Sequence, residues 1–348
     1  MPKLETPPTV AVTEATFAAL AEKRLRVSVG TDFSGTDAPV YALRKLGIQV
    51  DHAFSSDVMP AAMNFIQLNE SPANLYRGVE NRVGVYVDIY VSGFPCQCFS
   101  VMNKQQRDTD QRRDLYMHSM NYVIAFRPQV FIFENVTRLV SSKPGSVWEK
   151  IEAQLNALSD YDWGVRILNP KHFDCPQSRN RVFIVGVRKD ATLAKLGYPE
   201  PVSLTKTVLD ILNWERDASR HLGQHKLAAS YRSMLSKWNL GEEKAILEFN
   251  AMSLVLRPNK MSGATEATTT RARAQLRSQV APCMISHEPG PYALHLGRLL
   301  NVNEQLRLQG FDDRDIDVGD ISARQVQRLL GNCMNVSVLK HLFAALLV

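Results

Sequence analysis

The sequence predicts an α/β protein built on a doubly wound, mostly parallel sheet, and three stretches predict it. An apolar, β-branched run from Val85 to Val91 stops at Gly93 and Pro95. It therefore presents Cys96 from the carboxyl end of a strand, where open α/β sheets keep their chemistry. Upstream, Arg26 to Val29 reads as a strand and Thr31 to Asp37 as a tight turn into a helix opening at Pro39, the nucleotide-binding corner of such a sheet. Downstream, Trp163 to Leu168 and Val182 to Val187 are strands joined without a helix, which predicts an antiparallel hairpin edge.

The remaining elements follow in order. Residues 1 to 12 read as a frayed arm, and Thr13 caps a short helix from Glu14 to Lys23 with Phe17 and Leu20 on one face. The second strand runs from Val50 to Ser55. Asp57 follows it, 22 residues after Gly35, where an acid in Rossmann-like folds binds ribose hydroxyls; capping the helix that starts near Pro60 is its alternative role. Proline before Cys96 fixes the backbone there, and Gln97 offers an amide to hold the loop. The segment from Met102 to Arg113 is a polar, charged loop, and a helix runs from Asp114 to Phe126. Val130 to Phe133 is a buried strand that brings Glu134-Asn135-Val136 to the rim where Cys96 lies. A helix from Val147 to Leu158 leads into the hairpin, and the last helix spans about Asn335 to Leu347.

Composition sets bounds on this reading. With 348 residues, 45% hydrophobic and 22% charged, the chain has the length for one large domain and a smaller one. The longest apolar runs fall short of the ~20 residues that cross a bilayer. Residues 1 to 25 lack a signal-peptide core and carry Glu5, Glu14 and Glu22, so a cytoplasmic protein, or one reaching the nucleoid or nucleus, is expected, without a membrane. Five cysteines with no CxxC pair argue against both a disulfide framework and a zinc site, and no metal is expected. The net charge of +6 permits a polyanionic partner.

Pro95-Cys96-Gln97, Glu134-Asn135-Val136, Gln177-Ser178-Arg179-Asn180-Arg181 and Gly331-Asn332, in this order and at these spacings, resemble the cytosine-C5 DNA methyltransferases. The resemblance runs from Val27 through Val338 and lapses across roughly residues 190 to 295. It implies a Rossmann-like class I methyltransferase sheet formed by residues 1–188 and completed by 318–348, with a smaller, irregular target-recognition domain and return connection at 189–317. It implies S-adenosylmethionine as cofactor, with Phe33, Gly35, Thr36, Asp57, Val58, Pro95 and Asn332 around it. Two departures stand out: Asp37 and Ala38 replace the later glycines of the family's Phe-x-Gly-x-Gly-Gly turn, and Val79 occupies the place of an adenine-binding acid, leaving Glu80 as a weak substitute.

The implied chemistry is nucleophilic. C5 of cytosine becomes a nucleophile only after a group adds at C6; Cys96 supplies that group, Glu134 stabilises charge at N3, and Arg179, with Arg181 beside it, holds the O2 edge. A stacked base is closed to this attack, so the cytosine of duplex DNA must be flipped out. Ser100, Gln105 and Gln106 are the candidates in the loop that closes over DNA. Between Lys189 and Leu300 the chain carries 15 Lys and Arg against 10 Asp and Glu, most of its positive surplus. There Arg257, Arg271, Arg273 and Arg277 alternate with small polar residues suited to phosphates and base edges; a solvated loop is the alternative. A monomer is expected, and a partner restriction nuclease stays open. The competing readings are an RNA cytosine-5 methyltransferase, a catalytically inactive DNA-binding member, and an NAD enzyme, the last disfavoured because Gly30 and Gly35 do not make Gly-x-Gly-x-x-Gly.

Overall fold

A computed structural model describes residues 7–95, 115–140, 146–212, 255–256, 280–286, 291–293 and 298–347. They fall into two compact units: residues 1–169, 180–201 and 334–348 form the first, and 170–179 with 202–333 the second.

The first unit is built on a seven-stranded sheet. Its strands are β2 (Arg26–Asp32), β3 (Gln49–Ser56), β4 (Asn74–Tyr76), β5 (Ile89–Ser92), β6 (Val130–Val136), β7 (Tyr161–Leu168) and β9 (Arg181–Arg188), in spatial order β4-β3-β2-β5-β6-β9-β7. The pairs from β4 to β6 are parallel, whereas β9 runs antiparallel to both β6 and β7. The order turns back at β2 and β5, and their carboxyl ends flank the crevice where this architecture binds ligands. A short parallel pair, β1 (Thr9–Val10) with β10 (Tyr198–Pro199), closes one side.

Helices α1 (Glu14–Glu22), α2 (Ala38–Lys45), α3 (Pro60–Asn69), α4 (Leu115–Phe126) and α5 (Val147–Ala157) form in the expected order. A capping box between Thr13 and Thr16 starts α1. One core cluster joins the sheet to α4 and α5 through Tyr90, Phe131, Phe133, Tyr116, Tyr122, Trp148 and Ile151. Burying each such side chain contributes about 1.5–3 kcal/mol. Gly30 makes room for this packing: a Cβ there would lie 2.2 Å from the Phe54 ring.

The strand expected from Val85 begins only at Ile89. Val85 and Tyr86 are 41% and 46% exposed, and the Asp88 carboxylate takes both the amide and the hydroxyl of Ser28, so the regular ladder starts one residue later. The unit boundaries also differ from the expected 188/189 and 317/318. Residues 189–201 stay with the sheet because buried Tyr198 donates its hydroxyl to the Gly164 carbonyl and Lys195 donates its amide to Leu346.

The second unit holds β8 (Gln177–Ser178) parallel to β12 (Ala281–Pro282), and the strands β11 (Val255–Leu256), β13 (Tyr292–Ala293) and β14 (Arg298–Leu299) in the order β11-β13-β14. Its described helices are α6 (Val302–Leu308) and α7 (Ala323–Asn332), each opened by a capping box, from Asn301 and Ser322. The expected last helix, α8 (Val336–Leu347), returns to the first unit and packs on α2. Within Ala323–Leu347, which α7 and α8 divide between them, an 18-residue window has a mean hydropathy of 1.3 and is 78% buried.

Candidate active site

Strand β6 was expected to end at Phe133, yet its pairing with β9 continues through Glu134, Asn135 and Val136. The antiparallel partner supplies main-chain groups for three more residues, so the Glu134-Asn135-Val136 motif is held in the sheet. Glu134 lies opposite Phe183 and Val136 opposite Arg181, which puts Glu134 and Arg181 on a diagonal of one sheet face. Arg181 Nε is 3.2 Å from Glu134 Oε1, and the carboxylate is largely buried.

The neighbouring residue braces the approach to the cysteine. Asn135 Nδ2 donates to the Phe94 carbonyl at 3.0 Å, and its Oδ1 accepts the Val136 amide at 2.9 Å. The main chain entering Pro95 is thereby tied to the carboxyl end of β6. Gly93 keeps this corner open, since a Cβ there would meet the Met334 methyl at 3.0 Å. Cys96, Ser100, Gln105 and Gln106 lie outside the described residues, as do Arg257, Arg271, Arg273 and Arg277.

The second corner lies between β2 and α2. Phe33, Gly35 and Asp37 all have left-handed backbones, with φ of 54°, 58° and 48°. The Ser34 amide donates to the Ser56 carbonyl at 2.9 Å, tying the turn to the end of β3. Asp57 accepts the Gly35 amide on Oδ2 at 2.9 Å and the Met59 amide on Oδ1 at 2.8 Å. Burial raises its pKa against those two hydrogen bonds. Asp57 therefore stands beside the glycine turn and brackets the start of α3. The nearest atom beyond its chain neighbours to a Cβ at Gly35 would be the Phe33 carbonyl oxygen, at 4.0 Å, and Val58, after Asp57, is 62% exposed. Thr36 is buried, Val79 is buried in a turn over 79–81, and Glu80 is exposed.

Beneath this turn lies a network that the motif reading missed. Asp32 accepts from Ser56 at 2.6 Å and Tyr90 at 2.5 Å and pairs with Arg82 at 3.0 Å, while Arg82 lies 4.5 Å over the Tyr122 ring. Burial raises the Asp32 pKa against these contacts. The signal was available as polar residues, Thr31, Asp32, Ser55 and Ser56, closing two otherwise buried strands.

Arg179 was expected at the substrate's O2 edge, but its guanidinium serves the second unit. Nη1 donates to the carbonyls of Met284 at 3.2 Å and Gly331 at 3.0 Å, and Nη2 to that of Cys333 at 2.9 Å, with the residue 2% exposed. Both terminal nitrogens are engaged with main chain, so the arginine beside Glu134 is Arg181. Asn332, an expected cofactor neighbour, is exposed at the end of α7 in the same unit. Among the described residues no group of three or more metal-ligating side chains occurs.

The sequence model of the C-5 cytosine-specific DNA methylases matches residues 33–347. The chain is 28% identical over 180 residues to the type II methyltransferase M.HhaI of Haemophilus parahaemolyticus, covering 52% of this chain and 55% of that one. It is 27% identical over 320 residues to the type II methyltransferase M.NgoBI of Neisseria gonorrhoeae, covering 88% and 89%. The match to M.Bsp6I of Bacillus sp. is shorter, 34% identity over 36% of this chain and 40% of that one, so the chain spans about half or less of two of these relatives. In fold it resembles a prophage-encoded DNA modification methyltransferase of E. coli, with a TM-score of 0.62, 19% identity, and 92% and 98% of the chains covered. It also resembles the Dnmt2 methyltransferase of S. pombe, with a TM-score of 0.59, 18% identity, and 91% and 96% covered.

Proposed function

The chain belongs to the C-5 cytosine-specific DNA methylase family, and from that premise we propose that it transfers a methyl group from S-adenosylmethionine to C5 of a cytosine flipped out of duplex DNA. One observation carries the reading: Glu134, paired with Arg181, stands next to Asn135, whose side chain holds the main chain immediately before Pro95-Cys96. The main chain leading to Pro95 and a carboxyl suited to the ring edge are thus organised from adjacent strand ends.

The β2–α2 corner fits the cofactor. The left-handed turn at Gly35 and the Asp57 carboxylate that accepts its amide suit the ribose hydroxyls. When bound, S-adenosylmethionine supplies an electrophilic methyl group on a sulfonium. Phe33, Thr36, Val58 and Pro95 complete our assignment of that corner.

Cys96, as thiolate, adds to C6 of the cytosine, and electron density moves toward N3 and O2. A proton shared between Glu134 and N3 spreads that charge, and Arg181 holds the carboxyl in place and faces the O2 side. C5 takes the methyl group, with the electron pair of the broken S–CH3 bond left on the thioether of S-adenosylhomocysteine; solvent water then takes the C5 proton, and the C6–S bond breaks to restore the aromatic ring and the thiolate. Arg179 ties the Gln177–Ser178 strand to the carbonyls of Met284, Gly331 and Cys333 in its unit. Of residues 189–317, those from 202 on, which lie in the second unit, are assigned to target recognition, with Arg257, Arg271, Arg273 and Arg277 as DNA contacts and Ser100, Gln105 and Gln106 as contacts in the closing loop.

Bisulfite sequencing of DNA from cells expressing the chain tests this function. Protected cytosines in one sequence context, lost in Cys96→Ala, are the expected result; an unprotected genome with abundant folded protein would overturn it.

A further inference from the structure

Asp37 occupies the position before α2 with a left-handed backbone (φ 48°, ψ 35°), a conformation open to glycine and tolerated by Asp where its short side chain finds local hydrogen bonds. Its side chain makes no capping hydrogen bond to α2 and is fully buried. Instead Oδ1 accepts from the Thr31 hydroxyl at 2.5 Å and Oδ2 from the Ser55 hydroxyl at 2.6 Å. Ser55 Oγ lies 2.7 Å from His52 Nε2, and Thr31 Oγ1 lies 2.7 Å from Ser34 Oγ. Ser34 is joined to the Ser56 carbonyl through its amide, and next to it Gly35 donates its amide to Asp57. One buried carboxylate therefore connects the ends of β2 and β3 to the turn between Phe33 and Thr36.

We propose that Asp37 is a positioning residue for the methyl donor: its carboxylate holds that turn in the shape that presents Gly35 and Asp57 to the adenosyl group. The inference rests on the reading of this corner as the cofactor site. The ionised form accepts from both hydroxyls at once. The protonated form must donate to one of them, so that hydroxyl reverses its role and the connection to Ser34 or His52 is rearranged. S-adenosylmethionine, with a sulfonium and an ammonium against one carboxylate, also favours a negative group nearby.

Burial pushes the Asp37 carboxyl up to about 7, opposed by its hydrogen bonds from Ser55 and Thr31. The charged groups around it are Asp57 after β3, which adds to the rise, and Arg44 on α2, which opposes it. Glu70, at the end of α3, is pushed up to about 8 by burial against its pairing with Arg44. His52 on β3 is pushed down to about 4 by burial and stays neutral. Asp32 on β2 is paired with Arg82, and on α8 Lys340 and His341 pack on Phe17. The sign follows: the ionised fraction of Asp37 grows from pH 6 to pH 8, and cofactor affinity rises with it. If only the ionised form is competent, the dissociation constant falls about tenfold over that range.

Calorimetric titration of the full chain with S-adenosylmethionine at pH 6, 7 and 8, in buffers of different ionisation enthalpy, tests the proposal. Wild type should gain about tenfold in affinity and release roughly half a proton more at pH 7 than Asp37→Asn does. Asp37→Asn and Asp37→Gly, the second matched to the left-handed backbone, should bind more weakly at pH 8 and show flat profiles. Glu70→Gln, whose carboxyl shares Arg44 with Asp37, should keep the tenfold span while its midpoint moves to lower pH. Wild-type affinity and slope in Asp37→Gly would overturn the proposal, as would a slope that vanishes in Glu70→Gln and survives in Asp37→Asn. A flat wild-type profile overturns this inference alone; no binding at any pH overturns the cofactor reading as well.

Discussion

Arg181 Nε lies 3.2 Å from Glu134 Oε1 across the diagonal of β6 and β9, while Arg179, two residues earlier, directs its guanidinium to the carbonyls of Met284, Gly331 and Cys333. Two arginines of one motif therefore have different work, and their variants should fail differently. Arg181→Ala should lower the single-turnover methylation rate more than tenfold with little change in denaturation midpoint, because its contact acts on transition-state charge. Arg179→Ala should lower stability by about 2–4 kcal/mol, since buried carbonyls lose their donors. Urea denaturation and rapid-quench assays on both variants distinguish these; equal stability losses would return the two arginines to one role.

Cys96 is expected to form a covalent adduct with duplex DNA containing 5-fluorocytosine in the presence of S-adenosylmethionine, because fluorine at C5 blocks the final elimination. Intact-mass measurement should show the adduct in wild type and in Cys98→Ala and none in Cys96→Ala. An adduct that survives in Cys96→Ala but not in Cys98→Ala would identify the other thiol as nucleophile.

Asp57→Ala should weaken S-adenosylmethionine binding by about 1–3 kcal/mol, from lost ribose hydrogen bonds and a released Gly35 amide. Asp57→Asn, which still accepts from an amide, should recover part of the loss. Unchanged affinity in both variants would leave Asp57 as a bracket for the start of α3 only.

Arg271, Arg273 and Arg277, replaced singly by alanine, should separate base reading from phosphate contact. A base-reading arginine costs about 1–3 kcal/mol on the preferred site and relaxes one base pair; a phosphate contact weakens all sequences and reduces the salt slope by about one unit. Competition binding at several salt concentrations reads both. Wild-type behaviour in all three would move target choice elsewhere between Lys189 and Leu300.

Much of this protein was legible in its sequence because it is local. The succession of strands and helices along the chain, the breaks at Gly93 and Pro95, the Thr13 cap and the order of the four motifs need only neighbouring residues and spacing. The hairpin at 161–188 was legible too, since no helix fits between its strands.

Tertiary structure decided what depends on distant partners. A sequence gives Arg179 and Arg181 the same type and, two residues apart, no local reason to differ; the chain passes from one compact unit to the other between Arg179 and Asn180, and that passage separates them. Strand β6 extends through Glu134 because β9 supplies a ladder from residues about fifty positions later. At Asp37 the sequence showed a carboxylate where a glycine was expected, a local oddity without an explanation. Only folding brings Thr31 and Ser55 within hydrogen-bonding distance of it, and those two hydroxyls make a buried charge tolerable in a left-handed turn.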